Sequence, residues 1–196
     1  MPGGVSLMAR ILTGAMRHYF APTAGSGIPT PVAGVVERIT VQPGIVPLLP
    51  AAPGSGRDRG RRCTHIGVVQ VPQVYPTTAA EFPDAAESRT GSCGSMVAAA
   101  FTLAVYRCGY TMLDDGKLQP DNRLDEMFTG LLDDEERLRY AACRAIREAS
   151  EPVIGEGARA PVILSGSIGP WEADEVEGGW FGGSREVRVI LAKGWK

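Results

Sequence analysis

Gly91-Ser92-Cys93-Gly94-Ser95 sets a thiol between glycines, the pattern of a nucleophile turn. Such a turn needs a strained elbow between strand and helix to lift the thiol, and a base to take its proton. Here the residues after Ser95 read as a strand, and no histidine stands in a supporting motif. Glycine ahead of a strand is ordinary loop punctuation. The chain has only two histidines. His18 falls near the end of one predicted helix and His65 opens a predicted strand, so both read as surface or interface groups rather than general bases. Asp114-Asp115-Gly116 puts two carboxylates in a tight turn. A calcium loop needs further ligands at fixed offsets, ending in a bidentate glutamate, and these are missing.

Metal and phosphate chemistry find no better footing. The cysteines are Cys63, Cys93, Cys108 and Cys143, with no C-x-x-C pair and no clustered histidine to hold zinc. In a cytosolic protein they are expected to be reduced thiols, several of them small core residues. Neither glycine-rich phosphate loop pattern occurs. Two charge clusters remain. Arg57, Arg59, Arg61 and Arg62 form a basic loop suited to nucleic acid or an acidic partner surface. It lacks the aromatic interleaving that single-strand stacking uses. Glu172, Asp174, Glu175 and Glu177 form an acidic stretch that reads as a solvated loop before it reads as a cation site. The expectation is a protein that is not an enzyme, with no catalytic residues, no cofactor and no metal.

The bulk properties point the same way. Net charge is −2 and the pI near 5.8, without the basic excess of a protein that grips DNA phosphates. No run of roughly eighteen apolar residues suggests a membrane span. Met1-Pro2-Gly3-Gly4 lacks the pattern of a signal peptide, so synthesis in the cytoplasm is expected. The 196 residues suit a single domain over 1–196, and 44% of them are hydrophobic, enough for one core. The 25 glycines and 15 prolines gather in particular stretches and predict long irregular arms.

Periodicity places the elements. Apolar residues at helical spacing predict a helix from Val5 to Phe20, with Ser6 positioned to cap it. An irregular insertion follows at about 22–62, within which Val35 to Val41 has the makings of a strand. Pro43, Pro47, Pro50 and Pro53 then bar a central strand. His65 to Val71 predicts a strand that Val74-Tyr75-Pro76 extends, and Met96 to Tyr106 a second, in which Phe101, Leu103 and Val105 alternate with Thr102, Ala104 and Tyr106. Leu124 to Ala149 gives the clearest helix, its apolar face including Phe128 and Leu132 and its polar face Asp133, Asp134 and Arg137. Gly130 marks a possible break. Pro161 to Ser167 and Arg185 to Ala192 supply two more strands, with Gly178 to Gly183 as an aromatic turn between. The fold class is therefore α+β: a small, mainly antiparallel four-stranded sheet packed against one long helix and an N-terminal helix, with long Gly/Pro-rich arms. Arms of this kind around a modest core suit an assembling subunit.

Against this background one stretch carries a resemblance. Phe101 to Gly116 contains a strand ending in Arg107-Cys108, the Asp114-Asp115-Gly116 turn, then Pro120 and the long helix. Gly169-Pro170-Trp171, Gly178-Gly179-Trp180 and a last strand from Val187 to Leu191 follow in order, and Val71 to Pro76 precedes. Over about residues 65 to 192 this resembles a family of actinobacterial phage virion proteins encoded among the head-to-tail connector genes. Where that family has Gly-Gly-Cys before its final aromatic strand, this chain has Glu177-Gly178-Gly179, which argues against carrying a disulfide over. The resemblance implies a tail-terminator-like subunit at the head-tail junction of a long-tailed phage virion. It implies a homo-oligomeric ring, expected to be a hexamer, stacked between the head connector and the tail tube. Double-stranded DNA would pass through as cargo, and no membrane is involved. Arg57 to Arg62 and Asp84 to Arg89 are then expected to face neighbours, with Glu172 to Glu177 as a second interface. The alternatives are a head-tail stopper or adaptor, a tail tube component, or a nucleic-acid-associated accessory protein.

Overall fold

The computed structural model describes residues 3–43, 65–85, 96–108, 120–154, 160–176 and 180–192. Helix α1 spans Gly4–Phe20 and α2 spans Asp121–Ser150. Strands β1 (Arg38–Pro43), β2 (Ile66–Thr77), β3 (Met96–Cys108), β4 (Ile163–Val176) and β5 (Trp180–Leu191) form one sheet in the order β1-β2-β3-β5-β4. All neighbours are antiparallel except β1, which runs parallel to β2. The class is α+β as expected, with five strands among the described residues where four were expected.

The fifth strand is β1. Of the stretch from Val35 to Val41, only the part from Arg38 onward is strand, so Glu37 lies outside it. Val36 lies before it, buried, with its N–H donated to the Phe20 carbonyl at 2.9 Å. Pro43 ends the strand at the sheet edge, where a missing N–H costs least.

Both helices cover the same face of the sheet. Phe101, Leu103 and Val105 of β3 and Val187, Val189 and Leu191 of β5 meet Met8, Leu12 and Met16 of α1 and Leu138, Ala141, Ala142 and Ala145 of α2. The period of two in the strands and the helical spacing in α1 and α2 converge on one core. Each large side chain removed from water there contributes about 1.5–3 kcal/mol. On the other face Ile66, Val68, Ala104, Tyr106 and Trp180 form a smaller cluster, and Tyr75, Ala98 and Ala100 another.

Several local expectations change. Ser6 caps nothing: α1 starts at Gly4 with Gly3 at its N-cap and no side-chain bond, and Ser6 is exposed within the helix. Gly130 does not break α2. A Cβ there would stand 2.8 Å from the Ala33 Cβ, so glycine lets the chain before β1 lie directly on the helix. The aromatic turn at Gly178 to Gly183 is largely strand, since β5 begins at Trp180. Gly182 and Gly183 are close-approach positions: added Cβ atoms would fall 2.0 Å from the Val105 carbonyl oxygen and 2.2 Å from Trp171 Cζ2. β4 likewise runs beyond Ser167 to Val176, crossing Pro170 at a register irregularity between Ile168 and Trp171. Proline is tolerated there because β4 is an edge strand.

The cysteines also depart from expectation. Cys108 is disulfide-bonded, its partner lying outside the described residues, while Cys143 is free and exposed on α2. Wide spacing in sequence had hidden this, because residues far apart along the chain meet only through the fold.

Candidate functional site

Arg107 stands two residues beyond Val105 on β3, so it points toward the helices, into the core. There it meets Asp134 of α2 in a two-point contact, Nη2 to Oδ1 at 2.6 Å and Nε to Oδ2 at 2.9 Å. Their side chains are 0% and 1% exposed. The remaining guanidinium nitrogen donates to the carbonyls of Gly34 at 2.6 Å and Ala33 at 3.3 Å. One turn along α2, Arg137 pairs with Asp133 at 2.8 Å and donates to the carbonyls of Tyr19, Pro29 and Thr30 at 2.8, 2.9 and 3.3 Å. Asp133 in turn accepts the Val32 N–H at 2.9 Å. Two arginine–aspartate pairs thus fasten residues 29–34 by their main chain to α2.

Sequence reasoning put Asp134 and Arg137 on a solvent face of the helix, and this is corrected: both are buried. The segment before β1 covers that face. A signal was present in Arg107, an arginine on the apolar parity of its strand, which demands an acid partner inside. Burial pushes the Asp134 carboxyl up and the Arg107 guanidinium pulls it back. His65 lies against Gly34, and burial, then Arg107, hold its imidazole below the usual histidine value, with Glu37 opposing.

The charge clusters picked out from sequence fare unevenly. Arg57, Arg59, Arg61 and Arg62 lie outside the described residues, as does Glu177. Glu172, Asp174 and Glu175 are not in a loop but on β4, opposite Ser184, Gly182 and Phe181 of β5. Turn-like glycines and acidic residues had masked a long hairpin. Asp174 accepts a hydrogen bond from the Tyr106 hydroxyl at 3.0 Å, and burial, then this carboxylate, push the phenol far up. Glu172 borders a recess of about 450 Å³ with Thr102, Ser184, Glu186 and Arg188. Arg188 pairs with Glu186 and, at 3.3 Å, with Asp84. Hydroxyls, carboxylates and a paired guanidinium can hydrogen-bond a polar surface, and the described residues that line the recess include neither imidazole nor thiol. Of Asp84 to Arg89, 86–89 lie outside the described residues.

The ends of α2 carry a feature that periodicity did not separate from the core. Phe128 and Leu132, counted with the apolar face, are 62% and 50% exposed. None of residues 121–129 is buried. At the other end of the helix, Arg144, Arg147, Glu148, Glu151, Pro152 and Val153 line a groove of about 330 Å³. Val153 and the neighbouring Ile154 are 43% and 90% exposed.

Among the described residues, no cluster of three His, Cys, Asp or Glu side chains could hold a metal ion, and no helix is long and apolar enough to cross a membrane. No protein-family model matches the chain, and no curated protein matches it.

Proposed function

We propose that this chain is a structural virion protein that assembles into a ring at the head-tail junction of a long-tailed phage. In this reading it acts as the tail terminator, capping the tail tube and docking it to the head connector. The observation that carries the proposal is the exposure of apolar side chains on α2 and just past its C-terminal end, beside a closed core. A soluble single copy gains nothing from exposing Phe128, Leu132 and Ile154, whereas an assembling subunit buries them. The resemblance on Arg107-Cys108 and the residues around it supplies the phage setting. The work is geometric: interlocking surfaces around a channel, through which DNA moves without adhering to a chain of net charge −2.

Electron microscopy of virions decorated with an antibody against the chain tests this. Label at the junction of head and tail is the expected result. Label along the tail would reassign the chain to the tube, and unlabelled particles would overturn the virion reading.

A further inference from the structure

Cys108 is disulfide-bonded and Cys143 is free, so the partner is Cys63 or Cys93, both outside the described residues. Strand geometry separates the two. β3 pairs with β5 from Ala98 to Cys108 without a register shift, so it is extended throughout. At the rise of an extended strand, Met96 and Cys108 are about 40 Å apart. Cys93 comes before Met96 by three residues, which reach about 11 Å at full stretch. A disulfide needs its two Cα atoms within about 7 Å. Cys93 is held at the wrong end of β3, about 20 Å short of such a bond.

Cys63 starts from the right end. Ile66 is the Cα partner of Tyr106, and the two strands are antiparallel. Stepping back from Ile66 and forward from Tyr106 therefore leads to the same end of the sheet. Cys108 is two residues past Tyr106, and Cys63 is three before Ile66, a tether of about 11 Å that covers the distance. Cys108 is also half-buried against the cluster of Ile66, Tyr106 and Trp180, beside the start of β2.

The connection before β2 gives such a bond a purpose. β1 is parallel to β2, with Arg38 against Ile66 and Pro43 against Val71. The chain leaving Pro43 must return past the whole length of that pairing before β2 can begin, a crossover rather than a tight turn. A link from Cys63 to Cys108 fixes the return end of the crossover against β3. It also removes freedom from the unfolded chain between the two cysteines.

We propose that Cys63 and Cys108 form the disulfide, a redox-dependent staple that sets where the crossover rejoins the sheet. It closes by exchange with a small disulfide such as oxidised glutathione. One cysteine thiolate attacks that disulfide and expels a glutathione thiol; the second attacks the mixed disulfide and expels the other. One S–S bond forms in the chain as one breaks in the oxidant, two electrons pass to glutathione, and both protons leave on its thiols. An excess of reduced thiol reverses each step. The staple holds whether or not the chain builds a ring.

Peptide mapping of the unaltered chain tests the pairing. After exposure to oxidised glutathione, free thiols are alkylated and the chain is cut with trypsin in the absence of reductant. Cleavage after Arg62, Arg89, Arg107, Lys117, Arg139 and Arg144 puts every cysteine in a separate peptide. The expected product joins residues 63–89 to 108–117, with Cys93 and Cys143 in neither. Cys108 recovered alkylated, or joined to any other cysteine, overturns the proposal. Reduction should lower Tm by about 5–15 °C in the unaltered chain and in Cys93→Ser, and by less than about 2 °C in Cys63→Ser. An unaltered chain whose Tm ignores reductant would overturn the staple, since the bond would then hold nothing.

Discussion

Arg107 leaves β3 with nowhere to put its charge except against Asp134, and the cost of that burial is met only while both partners are present. Asp134→Ala is therefore expected to lower stability by about 3–5 kcal/mol in urea unfolding, because it strands a buried guanidinium. A loss below about 1 kcal/mol would show that the pair is not what holds this region. The neighbouring His65 makes a different prediction. Its folded-state pKa is lowered, so the unfolded chain takes up the proton first as pH falls. The stability it contributes is complete above about pH 6.5 and is lost as pH drops from there through the folded value. His65→Gln should flatten the fall in Tm between about pH 7 and 5. An unchanged slope would mean the imidazole is not held neutral. Neither residue was read correctly as a site in the sequence. Arg107 was noticed only as part of a motif, although its place on the parity of Phe101, Leu103 and Val105 already implied an inward charge.

Elements built from regular alternation were the legible ones. β3, the second half of β5 and both helices follow from spacing, because most of their large apolar residues face one core. β1 and the far half of β4 were harder, since edge strands tolerate proline, acidic residues and irregular register that would disqualify a central strand. Glycines separate the two kinds of backbone demand. Gly14 is exposed in the middle of α1, and a Cβ there meets nothing within 4 Å. Gly14→Ala should stabilise the chain by about 0.5–1 kcal/mol through helix propensity alone. Gly183→Ala should do the opposite, by about 1–3 kcal/mol, since its Cβ would collide with the Trp171 ring. Thermal unfolding of the two variants side by side decides this, and equal shifts would contradict the packing of β4 on β5.

For the whole molecule, composition and charge restrict function more than fold does. A chain with net charge −2 should show no salt-dependent retention of duplex DNA, even at low ionic strength. Fluorescence anisotropy with a labelled duplex measures this directly. Tight binding that weakens steeply with salt, and that disappears when Arg57, Arg59, Arg61 and Arg62 are replaced together, would favour the nucleic-acid accessory reading. The assembly surfaces were invisible to periodicity, because an apolar residue awaiting a partner chain has the same spacing as one in the core. Phe128 and Leu132 are distinguished only by their exposure, 62% and 50%, in the folded chain. The fastening of residues 29–34 carries a last implication, about inheritance. Arg107 and Arg137 hold carbonyl oxygens, and Asp133 holds an N–H, so side chains such as Val32 and Val35 take no part. Over descent an exposed position such as Val32 is free to change while the path stays fixed, whereas Pro31 is buried and Ala33 lies against Gly130. Gly34, held at φ 89, is fixed as well, along with the four charged residues that do the holding.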